Sequence, residues 1–285
     1  TIKILLKKMS VRKRQASSLD AISSHLLHTQ KVGTVLRAYH QMVTLQTEDH
    51  HLLHLVQSQL GNGPRRIVLS PDADEVLITF CPGMTIELNP KALHIQPNQT
   101  LILADAVLWH MPILEKIKLL RNNFLSYLHQ VYATLDLSSI IATEHPIIQT
   151  KLKLFFQKPT LESIAQILGL GSGSTPIGDD ALCGYILSQR FLGKSPTYIH
   201  AFVSDHFPQT TLVSQEMLTD VYHGRYSQVF LDWLQQLIHQ PRFEIDKNIR
   251  ELGGHSGKMI LSSFYYFTIQ SLQEGTYEHV FAYSR

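Results

Sequence analysis

The chain of 285 residues has few of the features that mark specialised protein classes. It contains two cysteines, Cys81 and Cys183, too few for a disulfide framework or a zinc cage. No apolar run approaches the ~20 residues that a membrane-spanning helix needs. The opening residues 1–6 are too short for a secretory signal and no small-residue cleavage site follows them. These absences predict a protein of the reducing cytoplasm that has no membrane segment.

Strong charge of one sign is also missing. The formal net charge is only +2, from 25 basic and 23 acidic residues, which is too mild to imply a nucleic-acid partner. The one dense basic run, residues 7–14, is either a patch for an anionic partner or a solvated end. Because 44% of the residues are hydrophobic, the chain can bury a large core and is long enough for two domains.

The pattern of apolar residues changes about two-fifths of the way along the chain. Short β-branched or alternating runs between turn signals predict strands over residues 32–38, 42–45, 66–69, 75–80, 85–88 and 100–103, after a helix near residues 15–27. From residue 112 onward, apolar spacings of three and four predict helices over residues 113–135, 147–156, 161–168, 181–191, 212–222, 226–238 and 258–272. We therefore predict an α+β protein, with an antiparallel barrel-like or sandwich-like domain over residues 1–111 and a helical domain over residues 112–285.

A glycine-rich loop between two predicted helices is the most informative segment. It has the sequence GLGSGSTPIGDD over residues 169–180, so its backbone can approach a ligand closely. Asp179 and Asp180 follow on the first turn of the next helix. One acid there is explained by helix capping or the helix dipole. Two adjacent acids at the mouth of a glycine loop indicate a site.

A second glycine-rich turn, LGGHSGK over residues 252–258, also precedes a predicted helix. Two such helix N-termini around one cavity would direct N–H groups and positive dipole ends at a phosphate or carboxylate. The alternative is a pair of helix–helix turns that pack closely through glycine.

Three familiar motifs do not fit. The first loop lacks the preceding strand of a dinucleotide fingerprint, and neither residues 193–195 nor residues 253–258 have P-loop spacing. His50, His51 and His54 resemble a metal-ligand cluster, but no matched carboxylate or further histidine follows nearby, and the chain has 16 histidines. We interpret that cluster as chance and expect no resident metal site.

The two aspartates would repel an anion unless something offsets their charge. The ligand could present N–H donors, a cation such as Mg²⁺ or K⁺ could bridge the acids to phosphate, or one acid could stay protonated. A carbamoyl or amide group attached to an anion satisfies the first condition. The sequence leaves these three alternatives open.

Residues 171–180 and Gly184 resemble the Gly-x-Gly-Leu-Thr-Pro-Ser-Gly-Asp-Asp signature of the AllH-like family, long catalogued as a domain of unknown function. Residues 254–257 are similar to the family's Gly-His-Ser-Ser-Gly turn, and the resemblance extends from about residue 32 to residue 272. The chain departs from the pattern at Ser174, where leucine is usual, at Ile177, where serine is usual, and at residues 258–259. Further matches are Thr210, Thr211, Ser214, Leu218 and Gly224.

The resemblance implies a subunit of oxamate carbamoyltransferase, a transferase of allantoin and purine catabolism that acts beside FdrA-like and AllG-like partners. That enzyme converts oxalurate and phosphate into oxamate and carbamoyl phosphate. On this hypothesis a bridging Mg²⁺ or K⁺ is the one cofactor kept open. The catalytic groups are Asp179, Asp180 and His255, and the anion-binding residues are Gly171, Gly173, Ser174, Thr175, Gly178, Thr211, Ser214, Gly254, Ser256, Gly257 and Lys258. The alternative is a non-catalytic subunit that binds a small anion or acts as a scaffold.

Overall fold

The computed structural model describes residues 12–95, 99–112, 115–118, 124–239, 254–275 and 279–282. Most of the basic run at residues 7–14 lies outside them, as do Leu252 and Gly253 of the second glycine turn. Contacts divide the chain into two compact units, Thr1–Met111 and Pro112–Arg285. In the described segments, no helix is both long and apolar enough to cross a membrane.

The first unit contains a closed β-barrel. Its strands follow the order β5-β4-β3-β2-β6-β7-β8-β1, and β1 pairs back to β5 to close eight strands into a ring. The prediction of an α+β protein with a β-rich first domain is confirmed. Its elements are β1 (Arg12–Asp20), α1 (Ala21–Thr29), β2 (Val32–Ala38), β3 (Met42–Thr47), β4 (Leu52–Val56), β5 (Arg66–Leu69), β6 (Thr85–Asn89), β7 (Ala92–Ile95), β8 (Gln99–Ile102) and β9 (Val107–Trp109), with 3-10 turns at Ser58–Leu60 and Pro71–Thr79.

Alternating apolar residues fill the core of this unit, because successive side chains of a strand point to opposite faces of the sheet. In β6, for example, Ile86 and Leu88 are buried while their neighbours are exposed. The pairing is more mixed than the antiparallel arrangement that the sequence predicts. β4 runs parallel to β5, and β1 runs parallel to β8 and to β9, while the other paired strands are antiparallel.

Two predicted elements of the first unit are wrong. The helix predicted from residue 15 begins only at Ala21, because the residues up to Asp20 belong to β1 and pair with β5, β8 and β9. The Asp20 carboxylate accepts hydrogen bonds from the N–H groups of Ile22 and Ser23, which caps α1. The strand predicted over residues 75–80 lies mostly in the 3-10 helix Pro71–Thr79. Proline at its start and two acids in its first turn favour that helix over an extended chain.

The second unit is helical. Part of the helix predicted over residues 113–135 is instead a strand, which pairs with residues near the end of the chain. Of the rest of that range, residues 113–114 and 119–123 lie outside the described residues. The elements are β10 (Glu115–Lys118), α2 (Phe124–Ala133), α3 (Leu137–Ala142), α4 (Pro146–Gln157), α5 (Leu161–Ile167), α6 (Ile177–Phe191), α7 (Thr197–Asp205), α8 (Leu212–Tyr222), α9 (Gln228–His239), α10 (Gly254–Glu274) and β11 (His279–Ala282), with a 3-10 turn at Phe207–Gln209.

Helices α6 and α10 pack side by side in the core of this unit. The Ser263 hydroxyl donates to the carbonyl of Ala181 at 2.6 Å. Further along both helices, the Thr268 hydroxyl donates to the Ser188 hydroxyl at 3.0 Å. Because the residue numbers rise together along both helices, the helices run parallel. Their N-termini therefore lie at the same end of the unit.

Glycine makes this close approach possible. A Cβ atom on Gly184 would lie 2.3 Å from the carbonyl oxygen of Ile260, so any side chain would push the two backbones apart. The aromatic rings of Phe155, Tyr185 and Phe267 pack edge to face beside the contact, with centroids 4.6 to 5.7 Å apart. The spacing of α6 and α10 is thus set by backbone contact as well as by side-chain packing.

Candidate functional site

The glycine loop joins α5 to α6, and two of its glycines are needed for packing. A Cβ atom on Gly169 would lie 2.0 Å from the carbonyl oxygen of Gln209, and one on Gly178 would lie 1.9 Å from the carbonyl oxygen of Ile167. These glycines let the loop lie directly on neighbouring backbone. This part of the loop fits the packing alternative that the sequence left open.

The middle of the loop is different. Gly171 and Gly173 have φ values of +116° and +96°, which side chains disfavour. Gly173 is exposed, and no heavy atom lies within 4 Å of the position of an added Cβ. The loop therefore presents open backbone to solvent around Gly173, as a site for a ligand requires.

Asp179 holds the loop in place. Its Oδ1 accepts a hydrogen bond from the backbone N–H of Gly169 at 2.7 Å, and its Oδ2 accepts one from the Thr210 hydroxyl. The Ser214 hydroxyl faces the same carboxyl without a hydrogen bond of normal geometry. Burial raises the pKa of Asp179, while these polar neighbours lower it. Both of its oxygens are thus engaged by the chain.

The segment before α8 contacts the loop at a second point. The Thr211 hydroxyl donates to the carbonyl of Ser174 at 2.5 Å and accepts a hydrogen bond from the N–H of Ser214 at 3.1 Å, which caps α8. The predicted binding residues Ser174, Thr211 and Ser214 therefore lie together and are joined by hydrogen bonds within the chain. Thr210, which the sequence did not single out as a site residue, binds Asp179 from the same segment. We call this segment, Thr210 to Ser214, the clamp before α8.

Asp180 is the acid that can still accept a hydrogen bond from a ligand. It is only 1% exposed, and its Oδ1 accepts no hydrogen bond from any described residue. The hydroxyls of Thr175 and Ser256 face its carboxyl and lie 2.8 Å apart. The pKa of Asp180 is raised to about 7, mainly by burial; the hydroxyls of Ser256 and Thr175 oppose this shift and the charge of Asp179 adds to it. Near neutral pH this carboxyl can therefore both take up and release a proton.

The Thr175–Ser256 contact brings the two predicted glycine segments together. Ser256 lies on α10, which begins at Gly254, so residues predicted as a turn up to residue 258 belong to the first turns of the helix. The first N–H groups of an α-helix have no partner within that helix. By contrast, the N–H groups of Gly178, Asp179 and Asp180 in α6 already bind chain carbonyls. Free backbone donors are therefore expected at α10 more than at α6.

The side chain of His255 contacts a different acid. Its side chain is 53% exposed, and its Nε2 is 3.8 Å from Oε1 of Glu144, the residue shortly before α4. Lys258 is exposed and Gly257 is buried. The structure thus brings Asp179, Asp180, Thr175 and Ser256 together, whereas the His255 ring contacts Glu144.

Comparison with protein-family models gives two matches. The model described as oxamate carbamoyltransferase subunit AllH matches residues 167–267. The model described as the AllH family N-terminal domain matches residues 14–108. The chain belongs to the AllH family.

The resemblance inferred from the glycine loop is therefore confirmed over most of the chain. Comparisons with curated proteins and with solved structures found no significant match. The AllH match contains the glycine loop, both acids, the clamp before α8 and the first turns of α10. Because the family description names a subunit of an enzyme, an AllH chain has protein partners.

The histidine cluster of the sequence lies in the first unit of this AllH chain. His54, on β4, shares a 3.1 Å hydrogen bond with the Thr44 hydroxyl, and burial lowers its pKa to about 3. Across the described residues, no group of three or more His, Cys, Asp or Glu side chains is placed to hold a metal ion. The described residues bring to the candidate site one carboxyl with a near-neutral pKa, two hydroxyls and the N-terminal end of a helix.

Proposed function

We propose that this AllH chain is a carbamoyltransferase subunit in which the glycine loop and the first turn of α10 hold a carbamoyl compound and phosphate beside Asp180. The reaction is transfer of the carbamoyl group of oxalurate to phosphate, which yields oxamate and carbamoyl phosphate. The observation that carries the proposal is the buried Asp180 carboxyl, which has an unpartnered oxygen and faces two hydroxyls. Membership of a family described as a subunit of oxamate carbamoyltransferase supports it.

The proposed reaction needs one proton to move. A phosphate oxygen attacks the carbamoyl carbon, the bond from that carbon to the oxamate nitrogen breaks, and the nitrogen leaves with an added proton. Hydrogen phosphate has one proton to give. Asp180 takes that proton from phosphate and passes it to the nitrogen, a task suited to a carboxyl whose pKa is about 7.

The surrounding groups have supporting roles in this proposal. The hydroxyls of Thr175 and Ser256 donate to the substrate oxygens as negative charge develops, and the positive end of α10 stabilises that charge. Asp179 acts as a positioning residue, because both of its oxygens already hold the loop. His255 and Lys258, on the first turns of α10, attract the anion without contacting Asp180.

A second candidate is a subunit that binds a small anion, or acts as a scaffold, while a partner performs the chemistry. The observation that favours it is the 1% exposure of Asp180, since the chain by itself covers this carboxyl. Under either candidate we expect FdrA-like and AllG-like partners and a cytoplasmic complex.

The test is Asp180→Asn in the complex reconstituted with both partners. We expect phosphate-dependent consumption of oxalurate to fall by about two orders of magnitude or more, the usual effect of a lost general acid or base. Asp105→Asn is the matched control, because Asp105 is an exposed acid in a turn of the other unit and should leave turnover unchanged.

Normal turnover by Asp180→Asn would instead favour the scaffold. Absence of phosphate-dependent turnover in the wild-type complex would reject the carbamoyltransferase proposal itself.

A further inference from the structure

We propose that Asp180 makes this site selective for small oxyanions that carry a proton, so that hydrogen phosphate binds and sulfate, which has the same shape but no proton, is rejected. The inference rests on the proposed function only in taking phosphate as the natural ligand. Selectivity itself is a property of binding and can be measured without turnover.

The attraction for an anion comes from the end of the unit where α6 and α10 begin. The helices run parallel, with contacts from Thr175–Ser256 at one end to Ser188–Thr268 further along. Their positive dipole ends therefore lie side by side and favour negative charge. The Thr175 and Ser256 hydroxyls add two donors that can turn from each other to a ligand oxygen.

Selectivity comes from the unpartnered oxygen of Asp180. A buried acceptor without a donor costs free energy that a ligand can recover only by bringing a hydrogen-bond donor. Every oxygen of sulfate is an acceptor, so sulfate meets the ionised carboxylate as a like charge. Hydrogen phosphate has an O–H group and can donate it to Oδ1 while its other oxygens accept from the hydroxyls.

The protonation state of Asp180 then decides how strong the selectivity is. The titratable groups that face it are Asp179, which repels a second negative charge, and the buried thiol of Cys183 on the next turn of α6. When Asp180 is protonated it can donate to either ion, and when it is ionised it can only accept. Discrimination against sulfate should therefore be clear where Asp180 is ionised, above about pH 7.

For a ligand to contact the Asp180 carboxyl, the loop side of the site must open. Ser172 and Gly173 are exposed, and Thr175 and Ser256 are partly exposed, whereas Asp180 is only 1% exposed. The contact that must open is the 2.8 Å hydrogen bond between the two hydroxyls, and each hydroxyl regains a partner from the ligand.

The experiment is isothermal titration calorimetry on the full chain at matched ionic strength, with phosphate, sulfate and methyl phosphate as probes. At about pH 8 we expect phosphate to bind wild type at least about tenfold more tightly than sulfate, the size of one hydrogen bond to a charged group. Methyl phosphate is almost wholly the proton-free dianion at that pH and should behave like sulfate. This arm separates free phosphate from a phosphate ester.

The variant Asp180→Asn should bring the phosphate and sulfate affinities to within about threefold, because a neutral amide can donate to either ion. Asp105→Asn should keep the wild-type ratio. If the asparagine variant does not fold, the wild-type affinities for phosphate, sulfate and methyl phosphate at about pH 8 still test the inference.

Equal affinities of the wild type for phosphate and sulfate at about pH 8, or no binding of either ion, would overturn the inference. So would an unchanged ratio in Asp180→Asn. A complex that selects phosphate yet never transfers a carbamoyl group would reject the proposed function and leave this inference standing.

Discussion

The buried carboxyl of Asp180 should make the stability of this protein depend on pH. Its pKa is raised from 3.8 to about 7 in the folded chain, so between these values the folded state binds more protons than the unfolded state. The free energy of unfolding must therefore fall as the pH rises through this window, and it reaches its lower level above about pH 7. Replacing Asp180 with asparagine removes the ionisation and should abolish this part of the dependence.

The size of the effect follows from the shift. Each pKa unit corresponds to ~1.4 kcal/mol, so a shift of about three units costs the wild type on the order of 4 kcal/mol when Asp180 is fully ionised. Because about pH 5 is only about one pH unit above the unfolded-state pKa of 3.8, the penalty there is roughly 1.5 kcal/mol. The asparagine amide group leaves a donor unsatisfied, which costs ~1–2 kcal/mol at every pH. From about pH 5 to the pH at which Asp180 is fully ionised, the free energy of unfolding of Asp180→Asn should therefore rise relative to that of wild type by about 2.5 kcal/mol.

Urea unfolding of both proteins at about pH 5 and about pH 8 measures this difference directly. Asp105→Asn, at an exposed position, should track the wild type at both values. A stability difference between Asp180→Asn and wild type that is the same at the two pH values would show that Asp180 does not change its charge in this range. The proton relay proposed for the reaction would then lose its physical basis.

Two further substitutions test the structure around the site. Gly184→Ala would normally stabilise a helix by about 1 kcal/mol, but here the Cβ meets the carbonyl of Ile260, so we expect a net loss of roughly 1–2 kcal/mol in urea unfolding. Gly33→Ala, whose Cβ has only ordinary contacts, is its control, and a stabilised Gly184→Ala would refute the close helix contact. Thr210→Val should cost ~1–3 kcal/mol, because the buried carboxylate of Asp179 loses a donor, and unchanged stability would mean that the clamp is dispensable.

Local signals in the sequence were sufficient where short-range chemistry decides the structure. The helix predicted over residues 212–222 is confirmed at both ends, because Thr211 caps it and the apolar spacing continues to Tyr222. The strands predicted over residues 32–38 and 66–69 are also confirmed, since their β-branched runs lie between turn signals. These elements needed no knowledge of distant partners.

The errors lie where distant pairing decides. Residues 15–20 have an apolar spacing that suits a helix, yet their partners in β5, β8 and β9 make them a strand. Residues 115–118 become a strand only by pairing with β11 near the other end of the chain. At the candidate site, the sequence showed two adjacent acids but not their different surroundings. Asp179 is engaged by Gly169 and Thr210, whereas one oxygen of Asp180 has no partner.

The closed ring of strands in the first unit has a consequence for assembly. Pairing of β1 with β5 uses the backbone groups that an open sheet would expose at its two edges. Among the described strands of the first unit, only the short β9 pairs on one side, with β1. A partner subunit that meets this unit therefore finds few backbone groups on which to add a strand. Away from the free edge of β9, recognition depends on loops and side chains, which substitutions can retune one residue at a time without disturbing the ring.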